Sequence, residues 1–366
     1  MPVEAPIRRV IARAYTIPTD APEADGTFSW TKTTIVVVEI EAAGTTGLGY
    51  SYTDAAAVSL LAGTLRDAIA GQDAMDPSGI TRRLERAVRN VGRSGLAATA
   101  ISAVDAALWD LKARLLGLPL AQLLGVRRNV VPIYGSGGFT SYDDARLCGQ
   151  LADWVGHDGC RAVKMKVGSQ PDDDPRRMEL ARRAIGDAEL FVDANGALTV
   201  KQAIAFGRIA AAVGVTWFEE PVSSDDLRGL CAVRTHLPAP MELAAGEYAF
   251  TIDDVRRTLE TGAVDVQQVD VTRVGGISGF LAAATLCDAF HTDLSGHCAP
   301  ALHLHAACAA PRFRHLEWFH DHVRIERMLF DGAPVPSDGV IAPDFSRPGH
   351  GLAFRAADAA PFLVRQ

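Results

Sequence analysis

The chain has 366 residues, 48% of them hydrophobic and 22% charged, with a formal net charge of −8. This is an ordinary globular composition, long enough for two domains or one barrel with additions, and its sign disfavours nucleic acid or an anionic membrane as a partner. No apolar run of about 18 residues offers a transmembrane helix, and the opening Met1-Pro2-Val3-Glu4 lacks the basic-then-apolar plan of a secretion leader. Six cysteines (Cys148, Cys160, Cys231, Cys287, Cys298, Cys308) show no CxxC spacing and read as reduced thiols, so the cytoplasm is the expected compartment.

Residues 8–17 and 33–41 read as strands, and Gly44-Thr45-Thr46-Gly47 turns the chain into a third, 48–52. Between the first two, residues 18–32 read as a long loop. Its length and its Phe28 and Trp30 suggest a lid, and its Thr19, Asp20, Ser29 and Lys32 suit a ligand rich in hydroxyls. Helical patterns follow at 54–70, 78–91 and 96–116, with a short turn at 120–124. In the third, Asp105 and Trp109 read as a buried, satisfied structural pair. Residues 1–127 are therefore expected to form a small α+β domain.

From Asn129 the chain repeats strand, loop and helix. The strand patterns are 131–134, 162–167, 190–193, 216–219, 243–246, 264–268, 293–296 and 315–317, with helical patterns such as 200–212 between them. Eight such units predict a parallel (β/α) barrel of the TIM type over 128–322. A doubly wound sheet is the alternative, but it would not gather polar residues at the ends of so many strands.

Those ends carry the chemistry. In Lys164-Met165-Lys166 both lysines share one face of a strand, where burial and mutual repulsion should lower at least one pKa toward neutrality and make a base for carbon. Asp193, Glu219 and Glu247 end three consecutive strands, and three hard oxygen ligands suit Mg²⁺ better than zinc. Glu220 should face away. Asp270 and His297, on adjacent strands, can pair so that the carboxylate fixes the imidazole tautomer. His303, His305, His320 and His322 are expected at the surface or an interface. Gly275-Gly276 is only a weak phosphate-turn signal, and Cys298 is a poor candidate nucleophile.

Lys164-x-Lys166, Val192-Asp193-Ala194-Asn195, Trp217-Phe218-Glu219-Glu220-Pro221, Gly246-Glu247, Asp270-x-Thr272-Arg273-x-Gly275-Gly276 and His297 together resemble the enolase superfamily, in particular its mandelate racemase subgroup. Residues 103–110 also resemble the subgroup's capping-domain helix. The resemblance implies a modified (β/α)7β barrel closed by a capping domain to which residues 323–366 return. It implies Mg²⁺, a small-molecule carboxylate substrate and a homo-oligomer from dimer to octamer. Lys166 and His297 with Asp270 would be the opposed acid/base groups, Lys164 a charged neighbour, and protonated Glu317 a hydrogen-bond donor to the substrate carboxylate. Asn195, Ser136, Tyr52 and Trp30 would contact substrate.

Such a site removes a proton α to a carboxylate. Dehydration of an acid sugar (an aldonate or aldarate) to a 2-keto-3-deoxy acid is the favoured outcome, because the full set of lysines, dyad and glutamate most resembles acid-sugar dehydratases. Racemisation or epimerisation of a 2-hydroxy acid is the alternative, and a metal-binding scaffold without turnover a remote one. Cycloisomerisation and dipeptide epimerisation are less favoured, since those relatives commonly carry a lysine where Asp270 stands.

Overall fold

The structure is a computed structural model and describes residues 4–365. It opens with an antiparallel sheet of β1 (Ile7–Ala24), β2 (Ser29–Ala42) and β3 (Thr45–Tyr52) in that order. The Val/Ile run of β2 is apolar on both faces because both are covered. Val36, Val38 and Ile40 pack into the core of the N-terminal unit, while Ile35 and Val37 join the core that continues into the barrel.

Residues 18–32 are not a loop. β1 and β2 run on past Pro18 as a two-stranded ribbon, with a bulge between Pro18 and Glu23 and pairing resumed at Glu23–Trp30 and Ala24–Ser29. The prolines and acidic residues that read as loop sit at the bulge and on an edge strand, where neither breaks a ladder. Only residues 25–28 turn, and Asp25 Oδ1 accepts hydrogen bonds from the backbone N–H of Thr27 at 2.6 Å and Phe28 at 2.7 Å.

The helical stretch after β3 is broken into α1 (Ala57–Leu60), a π-helical turn (Leu61–Leu65) and α2 (Arg66–Ile69). α3 (Pro77–Ala87) starts on an Asp76 cap whose side chain accepts from Gly79 N. α4 (Leu96–Leu115) is apolar almost all round, as a helix sandwiched between a sheet and a barrel must be. A Cβ on Gly49 would run into the backbone of Ala103 and Ala107, so glycine lets β3 lie against this helix. α5 (Leu120–Leu124) closes the unit.

The barrel strands are β4 (Val131–Gly137), β5 (Ala162–Lys166), β6 (Glu189–Asp193), β7 (Val215–Glu219), β8 (Glu242–Ala245), β9 (Val266–Val269), β10 (Asp293–Gly296) and β11 (Phe313–Phe319). All pair in parallel, and β11 returns to β4, closing the ring. Seven helices lie between them: α6 (Asp144–Gly156), α7 (Asp174–Ile185), α8 (Val200–Ala212), α9 (Leu227–His236), α10 (Ile252–Thr261), α11 (Gly276–Ala289) and α12 (Pro300–Ala309). This is a (β/α)7β barrel with an antiparallel cap. After β11 come α13 (His320–Leu329), the short strands β12 (Phe330–Asp331), β13 (Val340–Ile341) and β14 (Ala353–Phe354), and α14 (Ala356–Ala359). The tail reaches back to the cap, where Val364 N donates to Ala14 O at 2.9 Å.

The cap is fastened to the barrel by buried polar contacts. Thr81 Oγ1 and Ser278 N donate to Asp105 at 2.6 and 2.9 Å, and Trp109 Nε1 donates to Ser278 Oγ at 2.9 Å, so the expected structural pair joins α4 to α11. A Cβ on Gly276 would sit 2.6 Å from that of Asp105, which explains the glycine pair as a close approach and not a phosphate turn. Tyr50 donates to Glu326 at 2.6 Å and Ser51 to Thr272 O at 2.7 Å.

The ribbon has its own buried acid. Glu23 is fully buried and accepts from Trp30 Nε1 at 2.8 Å, while its Oε1 has no hydrogen-bond partner. Burial, with Asp321 and Asp20 adding like charge, pushes its carboxyl up to about 8. A folded-state pKa above the unfolded value favours folding below the unfolded value, and that contribution is lost as pH climbs from about 4.5 to about 8. Glu23→Gln should therefore gain in Tm over the wild type as pH rises across this window and level off above it. A Tm difference that stays flat between pH 5 and 9 would contradict this.

Candidate active site

Strand alternation builds the site in two tiers. Phe191 and Trp217 point inward two residues before Asp193 and Glu219, and with Tyr134, Ala162, Ala244 and Val266 they fill the barrel below the mouth. Phe191 stacks on Trp217 at 5.1 Å, and Trp217 Nε1 donates to Glu219 Oε2 at 2.9 Å, so the apolar floor also aims a carboxylate. On β5 the same alternation puts Lys164 and Lys166 inward. Both are buried, on a strand paired to β4 on one side and β6 on the other.

Lys164 Nζ meets Glu317 Oε1 at 2.8 Å and Asp193 Oδ2 at 3.4 Å, and makes a short contact with Glu219 Oε1. Lys166 Nζ lies 2.5 Å from Asp193 Oδ2. Ser136 Oγ donates to Glu317 Oε1 at 2.6 Å. Asp193, Glu219 and Glu247 each bring one carboxylate oxygen within 4.8 Å of the others. On the far side of the mouth His297 Nδ1 donates to Asp270 Oδ2 at 2.8 Å, and Asp270 Oδ1 accepts from Thr272 N and Oγ1, both at 2.7 Å. His297 Nε2 faces Glu247 Oε2 at 3.3 Å and Glu317 Oε2 at 3.6 Å.

The electrostatics correct two expectations. Burial works against both ammonium groups, but Glu219 and Glu317 around Lys164, and Asp193 beside Lys166, outweigh it and raise both lysines. Neither drifts toward neutrality while those carboxylates are free; the repulsion between the lysines is the smaller effect. Glu317 is likewise ionised and not protonated, since Lys164 and His297 overcome the cost of its burial and hold it low. Burial also opposes the imidazolium of His297, while Cys298, Glu247, Glu317 and the Asp270 bond favour it and prevail. Burial and Glu317 push the Cys298 thiol up, so it stays protonated and the carboxylates carry the effect on His297. A thiol in that state is no nucleophile.

Six carboxyl groups (Asp193, Glu219, Glu220, Glu247, Asp270, Glu317) face four basic ones (Lys164, Lys166, Arg273, His297). The excess appears where ionisation is hardest to keep. Burial and Asp193 push Glu219 up to about 8, and burial and Glu247 push Glu220 well above the carboxylate range. Glu220 Oε1 is buried without a hydrogen-bond partner, and Glu247 Oε2, equally buried, meets only His297 Nε2, at 3.3 Å. Hard oxygen donors, orphaned lone pairs and two surplus acidic groups fit a divalent cation held by Asp193, Glu219 and Glu247. Glu220 stays outside that trio, as expected, but not by facing away along a strand. It lies past the end of β7 with φ of 36° and keeps close electrostatic company with Glu247.

Above these groups is a cavity of about 410 Å³ between the barrel mouth and the cap. Lys166, Asn195, Glu247 and His297 reach it from below; Phe28, Trp30 and Lys32 line it from the ribbon. The ribbon thus stands where the lid was expected, though built as a sheet. Trp30 and Tyr52 serve as walls, because Trp30 Nε1 is committed to Glu23 and Tyr52 OH to His322 O at 3.3 Å. Ser136 is fully buried and does not line the cavity; its hydroxyl is committed to Glu317.

The histidine expectation fails most widely. His303, His305 and His322 are buried, and only His320, paired with Asp20 at 3.1 Å, is partly exposed. His303 Nε2 and His305 Nδ1 accept from the backbone N–H of Val271 and Ala121. His322 lines the cavity and was missed. Its only sequence signal was the spacing of five residues from Glu317, which carries its helix start over the mouth.

Comparison with known proteins follows the same lines. Residues 9–125 match the mandelate racemase/muconate lactonizing enzyme N-terminal domain, and residues 146–359 the enolase C-terminal domain-like family. The chain belongs to the enolase superfamily, in its mandelate racemase group. An L-talarate/galactarate dehydratase of Salmonella typhimurium is 35% identical over 343 residues, spanning 90% of this chain and 82% of the relative. A solved variant of an L-talarate/galactarate dehydratase, liganded with Mg and L-glucarate, superposes with a TM-score of 0.90 at 30% identity over 99% of this chain and 93% of that one. A 3,6-anhydro-alpha-L-galactonate cycloisomerase of Streptomyces coelicolor is 35% identical, covering 94% of this chain and 96% of its own. A mandelate racemase/muconate lactonizing enzyme-like protein from Rubrobacter xylanophilus has a TM-score of 0.96 at 47% identity, covering 98% of this chain and all of that one. No described helix is long and apolar enough to cross a membrane.

Proposed function

We propose that this enzyme removes the proton α to the carboxylate of an acid sugar and completes a dehydration to a 2-keto-3-deoxy acid. The observation that carries the reading is the pair of proton-transfer groups reaching one cavity from separated strands, Lys166 on β5 and His297 after β10, with the carboxylate trio on the strands between them. In this reading Asp193, Glu219 and Glu247 hold Mg²⁺. When bound, the cation supplies positive charge beside the substrate carboxylate and so lowers the cost of deprotonating the α carbon. Lys166 accepts that proton, Lys164 contributes fixed charge nearby, and Asp270 keeps His297 with its Nε2 toward the substrate. His297 then delivers a proton to the departing β-hydroxyl. Lys166 becomes a base only when the charge on Asp193 is offset, because that charge is what raises it here. Glu317 gains its proton when a substrate carboxylate adds further negative charge.

The dehydratase relative supports this outcome, and the cycloisomerase relative at equal identity keeps ring-closing or ring-opening chemistry as the second reading. Release of a 2-keto acid from a panel of aldonates and aldarates separates them. The expected result is keto-acid formation with Mg²⁺ that stops with EDTA and resumes on adding the metal back. Turnover of an anhydro-sugar acid or a lactone without keto product, or turnover indifferent to EDTA, would overturn the dehydration reading.

A further inference from the structure

His322 is buried at the start of α13, with its ring stacked on Tyr52 at 3.4 Å between centroids and 10° between planes. Ala299 N donates to its Nδ1 at 3.2 Å. A backbone N–H can only donate, so Nδ1 must be the unprotonated nitrogen and the neutral ring carries its proton on Nε2. Burial keeps the ring from taking a second proton. Nε2 finds no acceptor among the described residues, yet it is not among the buried atoms left orphaned, and His322 lines the cavity. Thr33, Thr34 and Thr53 also line the cavity, but among the described residues no hydrogen bond joins any of them to His322: Thr34 pairs with Thr16 and Thr53 with Thr99, both at 2.8 Å, and Thr33 donates to Asp321. His322 is thus a neutral donor of fixed tautomer and fixed plane, presented to whatever enters.

We infer that His322 Nε2–H donates a hydrogen bond to a substrate hydroxyl oxygen on the His297 side of the cavity, and so selects polyhydroxylated acids over acids lacking that hydroxyl. The inference rests on the acid-sugar reading and names a determinant of its specificity. A neutral donor suits a hydroxyl oxygen, since it adds no charge to a wall already close to Asp270, His297 and Arg273. The fixed ring also carries little ordering cost on binding, because Tyr52 and the Ala299 amide hold it before substrate arrives. A polar group built to meet a hydroxyl penalises ligands that leave it unpaired.

The test uses two substitutions at one position. His322→Asn keeps an acceptor near Nδ1 for the Ala299 amide and removes the Nε2 donor. His322→Gln reaches the Nε2 position with an amide donor. Both lose the stack on Tyr52, so the contrast between them isolates the donor. Binding to the Mg²⁺-loaded protein is measured by calorimetry in a Lys166→Met background, which does not turn substrate over and in which His322 counts as wild type, for galactarate, D-glucarate and L-glucarate, taking the tightest. 2-Hydroxyadipate, which has the same carbon skeleton and both carboxylates but one hydroxyl, is measured alongside. The wild type should prefer the hexarate, and H322N should bind it about 10- to 100-fold more weakly while changing 2-hydroxyadipate by no more than about 3-fold. H322Q should recover most of the lost affinity. Equal weakening toward both acids, an H322Q as weak as H322N, or an unchanged H322N overturns the inference. A wild type that binds neither acid, nor any member of the aldonate and aldarate panel, overturns the acid-sugar reading itself, and the wild-type titration tells the two failures apart.

Discussion

Replacing His297 with asparagine is expected to lower kcat for dehydration by about 10²- to 10⁴-fold, the usual contribution of one general acid or base. The same variant should still exchange the substrate α proton with solvent. The reason is geometric. His297 is tied to Asp270 at 2.8 Å on one side of the mouth, while Lys166 reaches the cavity from β5, with β4 and β11 between them one way round the ring and β6 to β9 the other. Deprotonation on the lysine side does not need the imidazole; departure of the hydroxyl does. Asparagine can keep a hydrogen bond to Asp270 through its amide and so spares the dyad's carboxylate from isolation. Deuterium wash-in at the α carbon, followed by NMR beside the keto-acid assay, checks this. Exchange and dehydration lost together would place the first proton transfer on His297 and contradict the assignment of Lys166.

Lys164→Met is expected to be damaging twice over. Lys164 is completely buried and touches Glu219, Glu317 and Asp193, so its loss leaves several buried carboxylates facing one another. Removing one partner from such a cluster costs about 3–5 kcal/mol of stability. Protons or a bound divalent cation can offset part of that charge. The Tm deficit of the variant should therefore be large in EDTA and clearly smaller in saturating Mg²⁺, while turnover stays low in both. A deficit of the same size with and without the metal would mean that the lysine and the proposed cation do not share these carboxylates.

Much of this site is legible in the chain because β-strands place chemistry by simple alternation. Once residues 162–167 are read as a strand, Lys164 and Lys166 must share a face, and the strand ends bring Asp193, Glu219 and Glu247 together. The closed barrel follows from the repeat itself. What alternation cannot reveal is protonation. The lysines were expected to lower one another, but the carboxylates that decide the matter come from β6, β7 and β11, and their distances are a product of the closed ring. Backbone conformation beyond the strands is hidden too. Glu220 leaves the strand in a left-handed turn, so counting faces gives the wrong reason for its exclusion.

The ribbon and the histidines fail for a related cause. Prolines, threonines and acidic residues in 18–32 suggest a loop by composition, yet an edge strand tolerates all of them when its partner supplies the pairing. His303, His305 and His322 look like surface residues because none has a side-chain partner nearby in sequence. Their partners are backbone amides of Val271, Ala121 and Ala299, donors that no residue type advertises. His322 shows the consequence most clearly: its tautomer is fixed by an amide whose position only the fold determines.

The central claim is abstraction of the proton α to a carboxylate by a lysine of β5, and one experiment reaches it directly. The Mg²⁺-loaded protein is incubated in D₂O with a panel of aldonates, aldarates and aromatic 2-hydroxy acids, and the α-carbon signals are followed by proton NMR. The account predicts loss of the α-proton signal for an acid sugar, accompanied by the resonances of a 2-keto-3-deoxy acid, with Lys166→Met silent in both. Keto-acid formation or α-exchange that persists in Lys166→Met would contradict it.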